Sequence, residues 1–272
     1  MNRYWQPHPI TDGEFSLFQR MLADVAGIKL AASKKALVGG RLARRLRERK
    51  VTSYGDYFRL VEPGGADGER QIAIDLLTTN ETYFFREPRH FAYLRTLAEQ
   101  RGPGPFSVWS AACSSGEEAY SIALVLADVC GADGWNVLGT DLSTRMLERA
   151  RRAQYALHRA NDIPRALLDR FCLRGIGAQH GTFIVSGAVR ERVALRQVNL
   201  NAALPDLGLF DVVFLRNVMI YFDLPTKQAV VERVAAALKP GGILMIGHSE
   251  SLNGIGTALR PVAPSIYRKE AR

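Results

Sequence analysis

The 272-residue chain carries few of the features that mark specialised classes of protein. Its three cysteines, Cys113, Cys130 and Cys172, include no C-x-x-C pair and cannot all be bridged to one another, which suits a reducing compartment. The five histidines show no ligand spacing such as H-E-x-x-H, so no metal centre is expected. No window approaches the roughly 18 uninterrupted apolar residues of a membrane span. The opening Met1 to Pro9 has no apolar signal-peptide core, which argues against export and for a cytoplasmic protein. With 47% apolar and 23% charged residues, the composition is neither disordered, collagenous nor coiled-coil. At about 150 residues per domain, the length allows one or two domains.

What is present in excess is positive charge, 36 Lys and Arg against 27 Asp and Glu, a net of +9. Eight basic residues fall between Lys34 and Lys50, where Glu48 is the only acid. At about 100° per residue, Arg41, Arg44 and Arg45 share one side of a helix, beside an apolar stripe of Val38, Leu42 and Leu46. Such a face is either solvated surface or a docking site for an acidic partner.

The first 80 residues predict helices and no strand. Phe15, Phe18, Leu22, Val25 and Ala26 recur at helical steps within Glu14 to Ile28, with Gly27 as the stop. Ser33 predicts the N-cap of a second helix reaching Lys50. Tyr54 to Val61 and Glu69 to Leu77 follow, parted by Pro63-Gly64-Gly65. A further helix runs to Gln100, and Arg101-Gly102-Pro103-Gly104-Pro105 breaks the chain. Beyond it, strands alternate with helices. Phe106 to Ala111, Val137 to Thr140, Phe210 to Leu215 and Ile243 to Ile246 predict strands, the last after the turn Lys239-Pro240-Gly241-Gly242. The intervening helices run to Val129, from a Ser143 cap to Arg152, and from Thr226 to Leu238. This is the pattern of a doubly wound α/β sheet. Thr182 to Val185 and Val193 to Leu195, set among glycines, predict an inserted antiparallel β element over about 171–196.

Ligands of such sheets bind outside the carboxyl ends of the strands. Ala111 to Glu118 is a turn of small residues opening a helix, where backbone N–H groups can approach a ligand. It holds only Gly116, not the G-x-G-x-x-G of a dinucleotide site, which ranks an NAD-dependent oxidoreductase last. Glu117 and Glu118 would repel a pyrophosphate and accept an amine, although acids in a first turn also complement the helix dipole. Asp141, 23 residues beyond Glu118, stands where such folds hold ribose hydroxyls, and it is also a plausible cap. Arg216 and Asn217 end a buried strand and need partners, either a ligand or an internal acid.

Four segments together resemble the CheR-type chemotaxis receptor methyltransferases. They are Thr79-Asn80-Glu81-Thr82-Tyr83-Phe84-Phe85-Arg86, Trp109 to Ser121, Arg216 to Phe222, and Gly247-His248-Ser249-Glu250-Ser251. Cys113 and Ala119 stand where Ala and Pro are the expected residues. The resemblance covers nearly the whole chain and implies a protein-glutamate O-methyltransferase that uses S-adenosylmethionine and leaves S-adenosylhomocysteine. It implies a helical N-terminal domain over 1–78 that docks receptors and a linker over 79–105 that contributes to the cofactor site. A Rossmann-like methyltransferase domain over 106–272 then contains the β insertion.

Residue by residue, the resemblance implies that Asn80, Thr82 and Arg86 contact the cofactor. Arg86 would pair with its methionine carboxylate or with the incoming glutamate. Glu118 would take the amino group, Asp141 the ribose, and Asn199 and Leu200 the adenine, with Arg216 and Asn217 completing the pocket. Tyr221 would stand near the transferred methyl. His248 and Ser249 have no assigned role. The implied partners are the acidic cytoplasmic helices of chemoreceptors, docked by Arg41, Arg44 and Arg45, and a receptor C-terminal peptide at the β insertion. Nucleic acid and membrane insertion are not expected. The competing readings are a nucleic-acid methyltransferase, which the basic run would suit but which lacks interleaved aromatics and a Pro-Pro-aromatic cluster, and a non-catalytic S-adenosylmethionine sensor.

Overall fold

The computed structural model describes residues 8–271, so most of the N-terminal segment read for a signal peptide lies outside the described residues. The chain divides into two compact units, one up to Thr79 together with Tyr221–Asp223, the other Asn80–Ile220 with Leu224–Arg272.

The first unit is helical: α1 (Asp12–Ala26), a 3-10 turn (Ala32–Lys34), α2 (Lys35–Arg49), α3 (Tyr54–Val61) and α4 (Glu69–Leu77). α1 begins two residues earlier than its apolar pattern, because Thr11 and Glu14 form a reciprocal capping box. Gly27 ends it in the left-handed region at φ 69°, a conformation that costs glycine least. Ser33 is not a cap. It sits inside the 3-10 turn, and α2 starts at Lys35 without a side-chain cap. Phe18, Leu22, Leu42 and Leu46 are fully buried, as their spacing predicts, and Tyr57 is buried with them.

The surprise lies on the basic face of α2. Arg45 does not face solvent; its Nε and Nη2 donate to the two oxygens of Glu69 at 2.6 and 2.7 Å. Arg49 Nε (2.6 Å) and the Tyr57 hydroxyl (2.8 Å) donate to the same fully buried carboxylate. Arg41 Nη1 donates to the carbonyls of Leu77 and Thr78, satisfying the end of α4. Arg41 and Arg45 are therefore internal ties, and of the three arginines read as one docking face only Arg44 points outward, 88% exposed.

The second unit begins with α5 (Pro88–Glu99) and alternates through β1 (Phe106–Ser110), α6 (Glu117–Cys130), β2 (Trp135–Asp141) and α7 (Thr144–Arg152, capped by Ser143). Then come β3 (Gln154–Ala156), α8 (Arg165–Phe171), β4 (Cys172–Arg174), β5 (Thr182–Val185), α9 (Gly187–Arg190) and β6 (Val193–Gln197). β7 (Phe210–Leu215), a 3-10 turn (Met219–Tyr221), α10 (Leu224–Ala236), β8 (Leu238–Ile246), β9 (Leu259–Ala263) and β10 (Ile266–Lys269) complete it. The main sheet runs β6-β2-β1-β7-β8-β10-β9, parallel from β6 to β8 and antiparallel in its last two strands. Its order reverses at β1, which lies between β2 and β7, and that crossover is where doubly wound sheets open a ligand crevice.

Two strand expectations are corrected. Val193–Gln197 is not part of the inserted element; it pairs in parallel with β2 as the edge of the main sheet. The small antiparallel sheet is β3-β5-β4, so the insertion starts at Gln154 and ends with β5. Its ends meet, since the Val185 amide donates to the Ala153 carbonyl at 3.1 Å. Lys239-Pro240-Gly241-Gly242 lies within β8 rather than before it, and the β7–β8 register shift between Phe210 and Val212 absorbs it.

Burial alone would push the Glu69 pKa up, but the hydrogen bonds from Arg45, Tyr57 and Arg49 outweigh it and hold the group at about 2. A free carboxylate titrates near about 4.3. The contribution of Glu69 is therefore complete above that value and is lost as pH falls towards 2. Glu69→Gln and Arg45→Glu should each destabilise the helical unit by about 3 kcal/mol or more, because either leaves buried charge uncompensated. Arg44→Glu should stay within about 0.5 kcal/mol of the parent. Hydrogen exchange of the α2 and α4 amides in the whole chain, at neutral pH and below pH 4, measures all three.

Candidate functional site

Glu118, Asp141 and Arg216 come to neighbouring strand ends around the crossover. The turn from β1 into α6 is held by backbone bonds that leave little slack. The Ala111 amide donates to the Phe214 carbonyl of β7, and the Cys113 amide to the Thr140 carbonyl of β2, each at 2.8 Å. Cys113 is fully buried, an inert packing residue whose thiol pKa is pushed up by burial. Gly116 takes φ +97°, and a Cβ there would stand 2.8 Å from Ala150 Cβ and 2.9 Å from the Tyr155 hydroxyl. The single glycine of the turn is thus required both by its backbone and by the space around it.

Asp141, at the end of β2, accepts from the Ser114 amide through Oδ2 and from the Ser143 amide through Oδ1, both at 2.8 Å. Asp141 therefore ties the turn after β1 to the turn after β2. It is not the cap that the sequence also allowed, since Ser143 caps α7.

Glu118 projects from the first turn of α6, 12% exposed. It accepts from Ser110 Oγ at 2.7 Å and from Arg216 Nη1 at 2.9 Å. Burial pushes its pKa up, and the Arg216 charge with these hydrogen bonds pulls back only part of that shift. Neighbouring Glu117 turns the other way. It is almost fully buried, accepts from Arg159 Nη1 and Ser115 Oγ, and faces the insertion rather than a ligand.

Arg216 is itself buried, so its demand for partners is met from inside. Besides Glu118, it contacts Glu87 Oε2 through Nη2 at 2.9 Å, and the same nitrogen donates to the Arg86 carbonyl. Its Nε has no hydrogen-bond partner. Asn217 follows at φ +57°, with its amide bonded to Glu250 Oε2 at 2.9 Å and its Nδ2 3.5 Å from Glu87 Oε1. Asn199 and Leu200 come just past β6, beside β2, where the Val198 amide donates to the Asp141 carbonyl. The Leu200 carbonyl accepts two bonds from Arg233 and Asn199 Oδ1 accepts from the Asn201 amide, which sets the bend of this loop.

The 80–87 segment is stitched to the same region through its backbone. The Asn80 carbonyl accepts from Ser114 Oγ at 2.8 Å, the Thr82 carbonyl from Arg159 at 3.0 Å, and the Phe85 amide donates to Ser121 Oγ at 2.9 Å. The Arg86 guanidinium makes only a 3.3 Å bond to the Glu81 carbonyl and a face contact with the Tyr83 ring. It is the least committed cation of the group. Tyr221 ends the 3-10 turn and is grouped with the helical unit.

Sequence reading missed four contributors. Glu87 and His90 flank Pro88, Arg159 comes from the insertion, and Glu250 follows β8. The Glu250 carboxylate gathers the amides of Asn217, Met219 and Gly247 at 2.7 to 2.9 Å. Its position inside a recognised motif was the only available signal.

The sequence matches two family models in order. They are the CheR methyltransferase all-alpha domain over residues 13–78 and the CheR methyltransferase SAM binding domain over residues 80–267. The chain is 42% identical to a chemotaxis protein methyltransferase of Klebsiella aerogenes, over 91% of this chain and 86% of that one. It is 41% identical to that of Escherichia coli (90% and 86%), and 39% identical to chemotaxis protein methyltransferase 2 of Pseudomonas aeruginosa (94% and 93%). The strand-end acids, the tethered linker and the inserted sheet thus belong to a member of the CheR methyltransferase family, with an S-adenosylmethionine-binding domain behind an all-helical one.

Proposed function

We propose that this methyltransferase esterifies glutamate side chains on the cytoplasmic helices of chemoreceptors, making the methyl esters used in sensory adaptation. The observation that carries the reading is the likeness, over about nine-tenths of both chains, to enzymes named chemotaxis protein methyltransferases. The site's chemistry fits it. Glu118 offers a largely buried carboxylate to an ammonium, Asp141 stands at the end of β2 where such folds hold ribose hydroxyls, and the Gly116 turn leaves backbone close to a ligand. Asn80, Thr82, Asn199, Leu200, Arg216 and Asn217 would line the remainder.

Bound S-adenosylmethionine supplies an electrophilic methyl group. The acceptor glutamate, with an ordinary pKa of about 4.3, is already ionised at neutral pH, so the protein need not remove a proton. What its residues supply is orientation and the exclusion of water from the carboxylate. Arg86, loosely held, is suited to grip either the cofactor's carboxylate or the substrate's. Tyr221 orients the acceptor, with no part in proton transfer. Docking on acidic receptor helices draws on the outward charge of α2, with Arg44 as its exposed member, and acts mainly on encounter rate. A receptor C-terminal peptide adding to the β4 edge would be a second contact, beside the exposed Leu173 and Ile176.

Incubation with methyl-labelled S-adenosylmethionine and chemoreceptor-containing membranes should put alkali-labile label on a receptor-sized band. Alkali-stable label, or label on nucleic acid, would give the enzyme a different acceptor. In the same assay Tyr221→Phe should retain activity within about tenfold, the loss of one positioning hydrogen bond, whereas near-total loss with intact cofactor binding would mean a chemical role. Arg44→Glu should slow receptor methylation at low salt, by a factor that shrinks as ionic strength rises, without altering cofactor affinity. Equal rates at every salt concentration would remove α2 from the docking surface.

A further inference from the structure

Glu87, His90 and His248 gather outside the crossover with donor atoms all within 4.8 Å of one another, the spacing of a metal site. A cation is already there. The Arg216 guanidinium stands 2.9 Å from Glu87 Oε2, where a divalent ion would meet its charge. The cluster is better understood through the charge it holds. Glu87 and Glu118, each 12% exposed, share one arginine that is 1% exposed. His90 is buried, with neither ring nitrogen hydrogen-bonded. Burial and the nearby Arg216 push its pKa down to about 4, so it stays neutral at physiological pH. Two acids against one guanidinium leave one negative charge in excess.

Glu87 adopts φ +60°, a backbone conformation that costs a non-glycine residue of order 1 kcal/mol. The strained backbone brings its carboxylate to two other segments at once: Arg216 and the Asn217 side-chain amide after β7, and the His248 backbone N–H after β8 at 3.2 Å. We propose that Glu87 is a positioning residue for cofactor binding, holding half of the Arg216 guanidinium so that the charge of Glu118 remains available to the ligand's ammonium group. The proposal rests on the cofactor reading of this site. Without Glu87, the whole of Arg216 would fall to Glu118 and neutralise the ligand's counter-charge in advance. In the parent, Glu87 also adds to the upward push on the Glu118 pKa. The other groups around Glu118 are accounted for. Glu117 is turned to Arg159, Asp141 is held by two amides, Cys113 is a buried thiol, and His248 lies beyond Glu87 at 3.8 Å.

Binding of S-adenosylhomocysteine to the full chain, followed by calorimetry from pH 5 to 9, tests this without turnover. The parent should bind more weakly as pH falls and Glu118 takes up its proton. Glu87→Gln should weaken binding at pH 7.5 by about tenfold or more, and move that acid limb to lower pH, because one repelling charge is gone. A simple packing defect would weaken binding without moving the limb. Glu87→Asp keeps the charge but withdraws it from Arg216, so affinity should fall while the limb moves to lower pH by less than in the Gln variant, through the tighter Arg216 hold on Glu118 alone. It also carries the test if the Gln variant does not fold. Parental affinity and limb in the Gln variant, or in the Asp variant if that alone folds, would overturn the role of Glu87. Glu118→Gln separates the two levels: if it binds like the parent, the cofactor reading of the site fails, whatever Glu87 does.

Discussion

One guanidinium shared by two largely buried carboxylates is the constraint on which the rest of the site depends. Arg216 emerges from a strand whose preceding residues, Val212 to Leu215, have no exposure at all, so the chain has committed a charge to a largely buried position. Desolvating such an ion costs several kcal/mol unless its partners are well placed, and removing one partner strands the others. Glu118 must therefore come from the first turn of α6 and Glu87 from the bend before α5. Those requirements fix where β1, α6 and α5 can lie relative to β7. If the cofactor binds at this cluster, as proposed above, it would meet charges already arranged, and little of its binding energy would be spent ordering them.

Backbone amides complete what the ion pairs begin. Asp141 collects two of them from two turns, and Glu250 collects three from the ends of β7 and β8. Each carboxylate satisfies N–H groups of turns that would otherwise be buried without partners. Gly247 shows how close the fit is. A Cβ there would stand 2.5 Å from Asn217 Nδ2, so the loop after β8 packs directly on the left-handed turn that carries Asn217.

Much of this was legible in the sequence, and the limits have physical causes. The helical stretches on either side of Pro63-Gly64-Gly65 match α3 and α4 to the residue, and the strand-end rule picked out Glu118, Asp141 and Arg216 from residue type and order alone. Short strands escaped. β3 is three residues long and finds its partner some 30 residues later, so no local pattern can announce it. β6 alternates between half-buried and exposed, as an antiparallel ribbon would, because it is the edge of a parallel sheet. The acids were harder still. Nothing in the one-letter code separates Glu87, which is held in the site, from Glu81, which is exposed, and burial of Arg45 against Glu69 depends on two helices meeting. Charge runs report composition; only packing reports direction.

The β3–β5–β4 insertion leaves the main chain path at Ala153 and returns at Val185, and those two residues are hydrogen-bonded to each other. An excursion whose ends already touch can change the length of its exposed turns at little cost to the sheet. Its inward side is tied down: Arg159 bonds Glu117 and Thr82, Arg170 pairs with Asp128, the Tyr155 hydroxyl bonds the Ser115 carbonyl, and Ile163, Leu167 and Phe183 pack into the core. The outward side of this small sheet is thus a cassette that evolution or a designer can rewrite while the strand-end chemistry stays as it is.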